Sequence, residues 1–315
     1  MTQLSKSLPR IQVLLSAYNG EKYIKEQIQS ILEQRNVDVC VLVRDDGSTD
    51  RTRDVLREIC SEDSKRIQVI EGKNVGYRKS FLSMLAYAND DMDYYSFADQ
   101  DDVWEPEKLA EAIRILGENP KSWLYASALK ITDENLNVLS IKAPTDLIQS
   151  LGSFFVRTRL AGCTMVFTKE LKKVAEKYSK LDVKRETAPD HDCLLCMLSL
   201  LHNKNIALDA EAHILHRRHN GTETSGGRGL KNRVQVELKR LLHRTNSYKY
   251  VASLLLSEPF LQTKEGTENK KLLNEIAHYD ESVKSIVKLC LNSQIKCGIK
   301  AADILIRYKM LLKKY

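Results

Sequence analysis

Apolar and polar positions follow two rhythms along the first hundred residues. Short β-rich runs, "RIQVLLSAY" (10–18), "VDVCVLVRDD" (37–46), "RIQVIEG" (66–72) and "DYYSFAD" (93–99), take turns with stretches of helical periodicity. In "EKYIKEQIQSILEQ", Ile24, Ile28, Ile31 and Leu32 make one apolar stripe; Val55, Leu56 and Ile59 make another after "GSTD", where Ser48 or Thr49 is the candidate cap. "YRKSFLSMLAYA" (77–88) is a third helix, and Pro106, which has no N–H to lose, is placed to open a fourth in "PEKLAEAIRIL". The second strand is nearly continuous in apolar residues, as a strand covered on both faces should be. This alternation predicts an open, mostly parallel α/β sheet flanked by crossover helices. Further on, "WLYASALKITD" (123–133) reads as a strand ending in a turn at "ENLN", and "RLAGCTMVFTKEL" (159–171) as a strand entering a helix.

Ligands of open α/β sheets sit outside the carboxyl ends of the strands. Four polar segments lie at such ends: "SAYNGE", "RDDGSTD", "GKNVGYRKS" and "ADQDDVW". The last packs Asp99, Asp101 and Asp102 into four positions after an apolar run. Carboxylates that close repel one another and need a cation, a shell of donors or a raised pKa. A divalent metal is the simplest solution, and hard oxygen ligands suit Mg²⁺ or Mn²⁺. The competing reading is a solvated turn with Asp101 or Asp102 capping the helix near Pro106. The first strand–helix turn lacks G-x-G-x-x-G, and no G-x-x-x-x-G-K-[ST] occurs, which argues against a dinucleotide fold and a P-loop enzyme.

Composition adds a soluble class and a charge asymmetry. The 315 residues are 43% hydrophobic and 29% charged, enough for a sizeable core. No apolar run approaches the ~18 residues of a bilayer-spanning helix, and "MTQLSKSLPR" lacks the apolar middle of a signal peptide; a cytoplasmic location is expected. Seven scattered cysteines read as reduced, and Cys193 and Cys196 in "DCLLCMLSLL" as helix packing among leucines. Residues 228–315 carry 18 Lys/Arg against 8 Asp/Glu, so a basic helical extension (228–315) follows a slightly acidic body (1–227).

"VLLSAYNGEKYIKEQIQSIL", "VRDDGSTDRT", "NVGYRKSF" and "FADQDDVWEPEKL" together resemble the family 2 glycosyltransferases of the GT-A fold, and among them bacterial rhamnosyltransferase-like enzymes of cell-surface polysaccharide biosynthesis. The resemblance covers about residues 10 to 225. It implies a nucleotide-sugar site made by Ala17, Tyr18, Asn19, Glu21, Asp45, Asp46, Asn74, Gly76, Arg78, Lys79, Asp99, Gln100 and Arg217. Tyr18 would pack on the base, Asp46 or Asp45 would accept from a uracil or thymine imide N–H, and Arg78 or Lys79 would meet the diphosphate.

The same resemblance implies Mn²⁺ or Mg²⁺ held by Asp99 and Asp101, with Asp102 the least certain ligand and His219 a third one. "LHRRHNGTETSG" (215–226) is similar to the family's Y-R-x-H-x-x-N segment, but has His216 where a tyrosine is usual and Thr222 roughly where an asparagine would fall. In "TAPDHDCLLCML", Asp192 is the expected general base and Asp190 its competitor, whose alternative role is capping. The implied reaction is inverting transfer of a sugar of rhamnose, glucose or galactose type from a dTDP- or UDP-sugar to a glycan or lipid-linked oligosaccharide. A sugar-nucleotide nucleotidyltransferase shares the sheet but ordinarily opens on a Gly-rich basic loop, and "SAYNGEK" is a poor one; a non-catalytic glycan-binding or scaffold protein is the other alternative. The basic extension is expected to pack on the body, form a homo-oligomer or lie on the inner face of the cell membrane, with no nucleic-acid partner.

Overall fold

A computed structural model describes residues 7–144, 146–180, 188–219 and 247–315. The boundary expected at 227/228 and the departure at Thr222 lie outside the described residues, as does the stretch 228–246 of the basic extension. The chain divides into two compact units: residues 1–144, 160–181 and 206–217, and residues 145–159, 182–205 and 218–315.

The first unit is built on one nine-stranded sheet. Its strands are β1 (Arg10–Ala17), β2 (Asp38–Asp45), β3 (Ile67–Glu71), β4 (Tyr94–Ala98), β5 (Val103–Trp104), β6 (Ser122–Thr132), β7 (Val138–Lys142), β8 (Val166–Thr168) and β9 (Asn205–Arg217). The order is β3-β2-β1-β4-β8-β6-β9-β5, with β7 paired on β6. β1 to β4 run parallel; β8 is antiparallel to β4 and β6. The expected open, mostly parallel half is therefore present, extended by a mixed half. Helices α1 (Ile24–Leu32), α2 (Thr52–Glu62), α3 (Tyr77–Met84) and α4 (Lys108–Glu118) make the crossovers, and α6 (Lys169–Glu176) follows β8. The apolar stripes buried themselves as their spacing requires: Ile11, Val13 and Leu15 of β1 meet Ile24, Ile28 and Ile31 of α1, all fully buried.

Local boundaries differ in instructive ways. Pro106 lies two residues before α4, whose N-cap is Glu107. Neither Ser48 nor Thr49 caps α2; the N-cap is Arg51, and Asp50 Oδ1 accepts from Thr52 N at 3.0 Å. Asp102 does not cap a helix either. β7, which the periodicity missed, is exposed along its whole length and so carries no alternating signal.

In the second unit, α5 (Leu151–Phe154) packs on α7 (His191–Leu201), with Cys193 Sγ 3.7 Å from Phe154 O. α7 is buried on nearly every side, Cys193 and Cys196 included, and neither cysteine forms a disulfide. Helices α8 (Ser247–Leu255), α9 (Thr267–Ala277), α10 (Val283–Leu291) and α11 (Lys300–Leu311) complete it. Tyr248, Tyr279 and Tyr315 form an aromatic cluster joined to Phe155. No described helix is long and apolar enough to cross a membrane.

Candidate active site

Strand register aligns the loops. Ala17 pairs with Asp45 and Asp45 with Glu71, so β1, β2 and β3 end level; Leu15 pairs with Ala98, which brings Gln100 level with Ala17. Gln100 uses that position. Its Oε1 accepts from Tyr18 N at 2.8 Å and its Nε2 donates to Tyr18 O at 3.0 Å, lacing the first loop to the acidic one. Gly20 sits under this amide, where a Cβ would fall 2.3 Å from Gln100 Oε1. Asn19 takes φ of 50°, a left-handed conformation that asparagine tolerates. Its N–H donates to Ser48 Oγ at 3.0 Å and its Oδ1 accepts from Thr49 N at 2.9 Å. Glu21 Oε2 accepts from Arg51 N at 2.8 Å, which gives that carboxylate a role at the start of α2. The Tyr18 side chain is about half exposed beside these loops.

Asp45 and Asp46 are both buried and serve different loops. Asp45 accepts from Gly47 N, Ser48 N and Arg53 Nε, the last at 2.8 Å. Asp46 Oδ1 accepts from Val75 N at 2.9 Å and Oδ2 from Gly76 N at 2.8 Å, while Arg44 closes the pair from below. Asp46 thus ties the β2–α2 loop to the β3–α3 loop. Gly47, at φ 81°, fits a junction where a Cβ would meet Asn74 N at 2.8 Å. Gly76, at φ 82°, is the N-cap of α3. Asn74 is exposed; Arg78 and Lys79 are half-buried on the first turn of α3, Arg78 Nε donating to Tyr77 Oη at 3.2 Å.

The acidic loop after β4 is braced from β9. Val103 pairs with Leu215 antiparallel, so Asp102 falls opposite His216 and Asp101 opposite Arg217. His216 Nδ1 lies 2.9 Å from Asp102 Oδ1, and Arg217 Nε donates to Asp101 O at 3.0 Å. The buried Arg217 spends its other nitrogens on Glu134 O and Glu26 Oε2 and stacks 4.5 Å from the Tyr23 ring centroid. Its donors therefore hold the acidic loop. Burial alone would push the His216 imidazole down, but the Asp102 charge and hydrogen bond, with Asp99 and Asp101 behind them, raise it to about 9. Facing a carboxylate oxygen, Nδ1 is the protonated nitrogen and donates. Beneath, the fully buried Lys108 ammonium stands 3.6 Å from the Trp104 ring centroid and 3.3 Å from Ser96 Oγ; burial lowers it to about 7.

The sequence profile of Glycosyl transferase family 2 matches residues 12–178, more than half of the chain. The chain belongs to glycosyl transferase family 2. It is 26% identical over 264 residues to the dTDP-rhamnosyl transferase RfbG of Shigella flexneri, covering 80% of this chain and 88% of that one. Among solved structures it is similar to S. aureus TarS 1–349 in complex with UDP-GlcNAc (TM-score 0.59, 18% identity, 97% of this chain and 82% of that one). It is also similar to mannosyltransferase PcManGT from Pyrobaculum calidifontis in complex with GDP-Man and Mn²⁺ (TM-score 0.55, 15% identity, 98% and 89%). The GT-A fold and a nucleotide-sugar-dependent glycosyltransferase activity follow from this membership.

GT-A glycosyltransferases commonly use a divalent metal, and the residues of this family 2 chain can be tested for one. Ligand atoms of Asp99, Asp102, Cys163 and His216 all lie within 4.8 Å of one another. Asp102 Oδ2 is buried with no hydrogen-bond partner in the structure. Burial and the Asp102 and Asp99 charges hold the Cys163 thiol well above its ordinary value, so it stays protonated and is a poor donor to a hard cation. The carboxylates fit Mg²⁺ or Mn²⁺, with His216 orienting Asp102 in the manner of an outer-sphere partner. Asp102, expected to be the least certain ligand, thus lies beside Asp99 in a group that could hold a metal ion. Asp101 is on the same loop, partly exposed. Sequence reasoning missed Lys108 and Cys163, and saw His216 only as a departure. The signal available was the strand that places His216 and Arg217 at its end.

Asp192 and His219 belong to the second unit. Asp192 is partly exposed in the first turn of α7, with Oδ1 2.6 Å from Cys193 N. Asp190 is the N-cap residue but makes no side-chain capping bond, so its capping role is not realised.

Proposed function

We propose that this glycosyltransferase moves a hexose, rhamnose first among the candidates, from a dTDP- or UDP-sugar to a glycan or lipid-linked oligosaccharide, with inversion and with a divalent cation. The observation that carries the reading is the gathering of Asp99, Asp102 and His216 at the end of β4, with Asp102 Oδ2 left unpaired in a buried position. The similarity to a dTDP-rhamnosyl transferase supports the donor class. A bound Mn²⁺ or Mg²⁺ would offset the charge of the donor's diphosphate as the nucleotide departs.

The chain's own groups do the rest. Tyr18 offers its ring to the base, and Asp45, whose Oδ1 carries only a 3.3 Å contact from Ser48 N, accepts from the imide N–H. Asp46 shapes the loop that presents Asn74, Gly76, Arg78 and Lys79. Gln100 fixes the spacing between the base loop and the acidic loop, and Arg217 fixes the acidic loop itself. Asp192 takes the proton of the acceptor hydroxyl. The hydroxyl oxygen bonds to the anomeric carbon, the bond from that carbon to the diphosphate oxygen breaks, and the configuration inverts. His219 would be the third ligand that the family resemblance implies.

A thermal-shift screen of nucleotide sugars with and without Mn²⁺ tests it. A dTDP- or UDP-sugar should raise Tm, and only with the metal present. Stabilisation by a nucleoside triphosphate and a sugar phosphate instead would turn the reading to a nucleotidyltransferase.

A further inference from the structure

Half of the fourteen large apolar side chains exposed among the described residues lie in the last 33 positions. On α10, Val283, Val287 and Leu291 recur every four residues on one face and are 77%, 46% and 78% exposed, while Ile286 and Leu289 fill the buried face. On α11, Ile304, Tyr308 and Leu311, with Leu312 just after it, are exposed in the same way, Ile304 at 69%, and Ile306 and Met310 are buried. These are not frayed ends. Arg307 of α11 donates through Nε to Cys290 O at 3.0 Å and through Nη2 to Ile295 O at 3.2 Å, so each helix is anchored while its apolar stripe faces solvent.

Charge decides what covers the stripes. Residues 283–315 hold eight Lys/Arg and one Asp, so all of the chain's net +7 resides there; the other 282 residues carry 41 charges of each sign. Lys284 and Lys288 adjoin the α10 stripe, Lys288 also meeting Glu275 at 2.9 Å; Lys313 and Lys314 follow α11. A second copy would bring the same positive surface against this one and be repelled. A nucleic acid would take the lysines and leave the stripes wet. Apolar stripes rimmed by lysine match an anionic lipid surface, on which helices this short lie in the plane.

We propose that α10 and α11 form a docking face for an anionic membrane surface. The proposal goes beyond the transfer reaction, and vesicle binding reads it independently of any transferase activity. The full chain is sedimented with vesicles of phosphatidylcholine alone and of phosphatidylcholine with phosphatidylglycerol, at low and high salt. Binding should require phosphatidylglycerol and weaken with salt. Exchanging Lys284 and Lys313 for Gln should lower partitioning roughly 30-fold, about 1 kcal/mol per lysine. Leu291→Glu with Ile304→Glu should lower it at least about 10-fold at unchanged Tm. If that pair shifts Tm, Val283→Glu at the exposed start of α10 replaces it. Equal binding to neutral vesicles, or no binding to either kind, overturns the proposal. So does a concentration-dependent dimer in sedimentation velocity that Leu291→Glu dissolves, which would assign the face to a second copy.

Discussion

Replacing Arg217 is the sharpest probe of how the acidic loop is held. The side chain is buried and delivers hydrogen bonds to the main-chain carbonyls of Asp101 and Glu134, an ion pair to Glu26, and a stacking contact to Tyr23. Hydrogen bonds from a charged donor contribute ~1.5 kcal/mol or more each. Glu26 is half exposed, so its pair adds only ~0–1 kcal/mol. The cation–π contact adds ~0.5–1 kcal/mol. Arg217→Met should therefore destabilise the first unit by about 4 kcal/mol, a Tm drop on the order of 10 °C at ~2–4 °C per kcal/mol. Arg217→Lys keeps the charge but supplies one ammonium where a planar fork bridges three acceptors, and should lose about half as much. Because the loop also carries Asp99 and Asp102, the Mn²⁺ concentration for half-maximal transfer should rise roughly 10-fold in Arg217→Lys. Differential scanning calorimetry and a metal titration of the transfer rate measure the two effects. A lysine variant with wild-type Tm and wild-type metal dependence would refute the bracing role.

Gly47→Ala forces a Cβ to 2.8 Å from Asn74 N at φ 81°, a conformation costing ~1–2 kcal/mol; nucleotide affinity by calorimetry should fall while the fold persists by circular dichroism. Asp192→Asn should lower transfer by ~10²-fold or more with unchanged donor affinity, and full turnover in that variant would remove Asp192 as the base. The Asp280 carboxyl is held below its usual value by the Lys249 hydrogen bond and charge, against its partial burial. A depressed acid contributes fully above its unfolded value of 3.8 and loses that contribution as pH falls from there through the lower folded value, so Lys249→Met should flatten the acid limb of the Tm–pH curve.

The sheet's parallel half was readable because buried central strands leave near-continuous apolar runs between amphipathic helices, as β1 and α1 show. β7 was not, since none of its five residues is buried, and β5 is only two residues long. Ser48 does not cap α2, whose N-cap is Arg51; its hydroxyl instead accepts from Asn19 N, a partner 29 residues away. The acidic loop was legible as a cluster but not in its internal division. Which of two adjacent aspartates turns inward depends on His216, 114 residues later, and on a β5–β9 register that a sequence does not display. The three acceptors of Arg217 are likewise far apart in the chain, at Glu26, Asp101 and Glu134, and no local pattern displays them.

The central claim is that the loop after β4 couples a divalent cation to nucleotide-sugar binding. Titrating dTDP and UDP into the chain with and without Mn²⁺, for the wild type and for Asp99→Asn, tests it most directly. One of the two nucleotides should bind at least about 10-fold more tightly with Mn²⁺, and Asp99→Asn should lose that increment while keeping the metal-free affinity. Equal affinity with and without metal, or an increment that survives Asp99→Asn, would contradict the account.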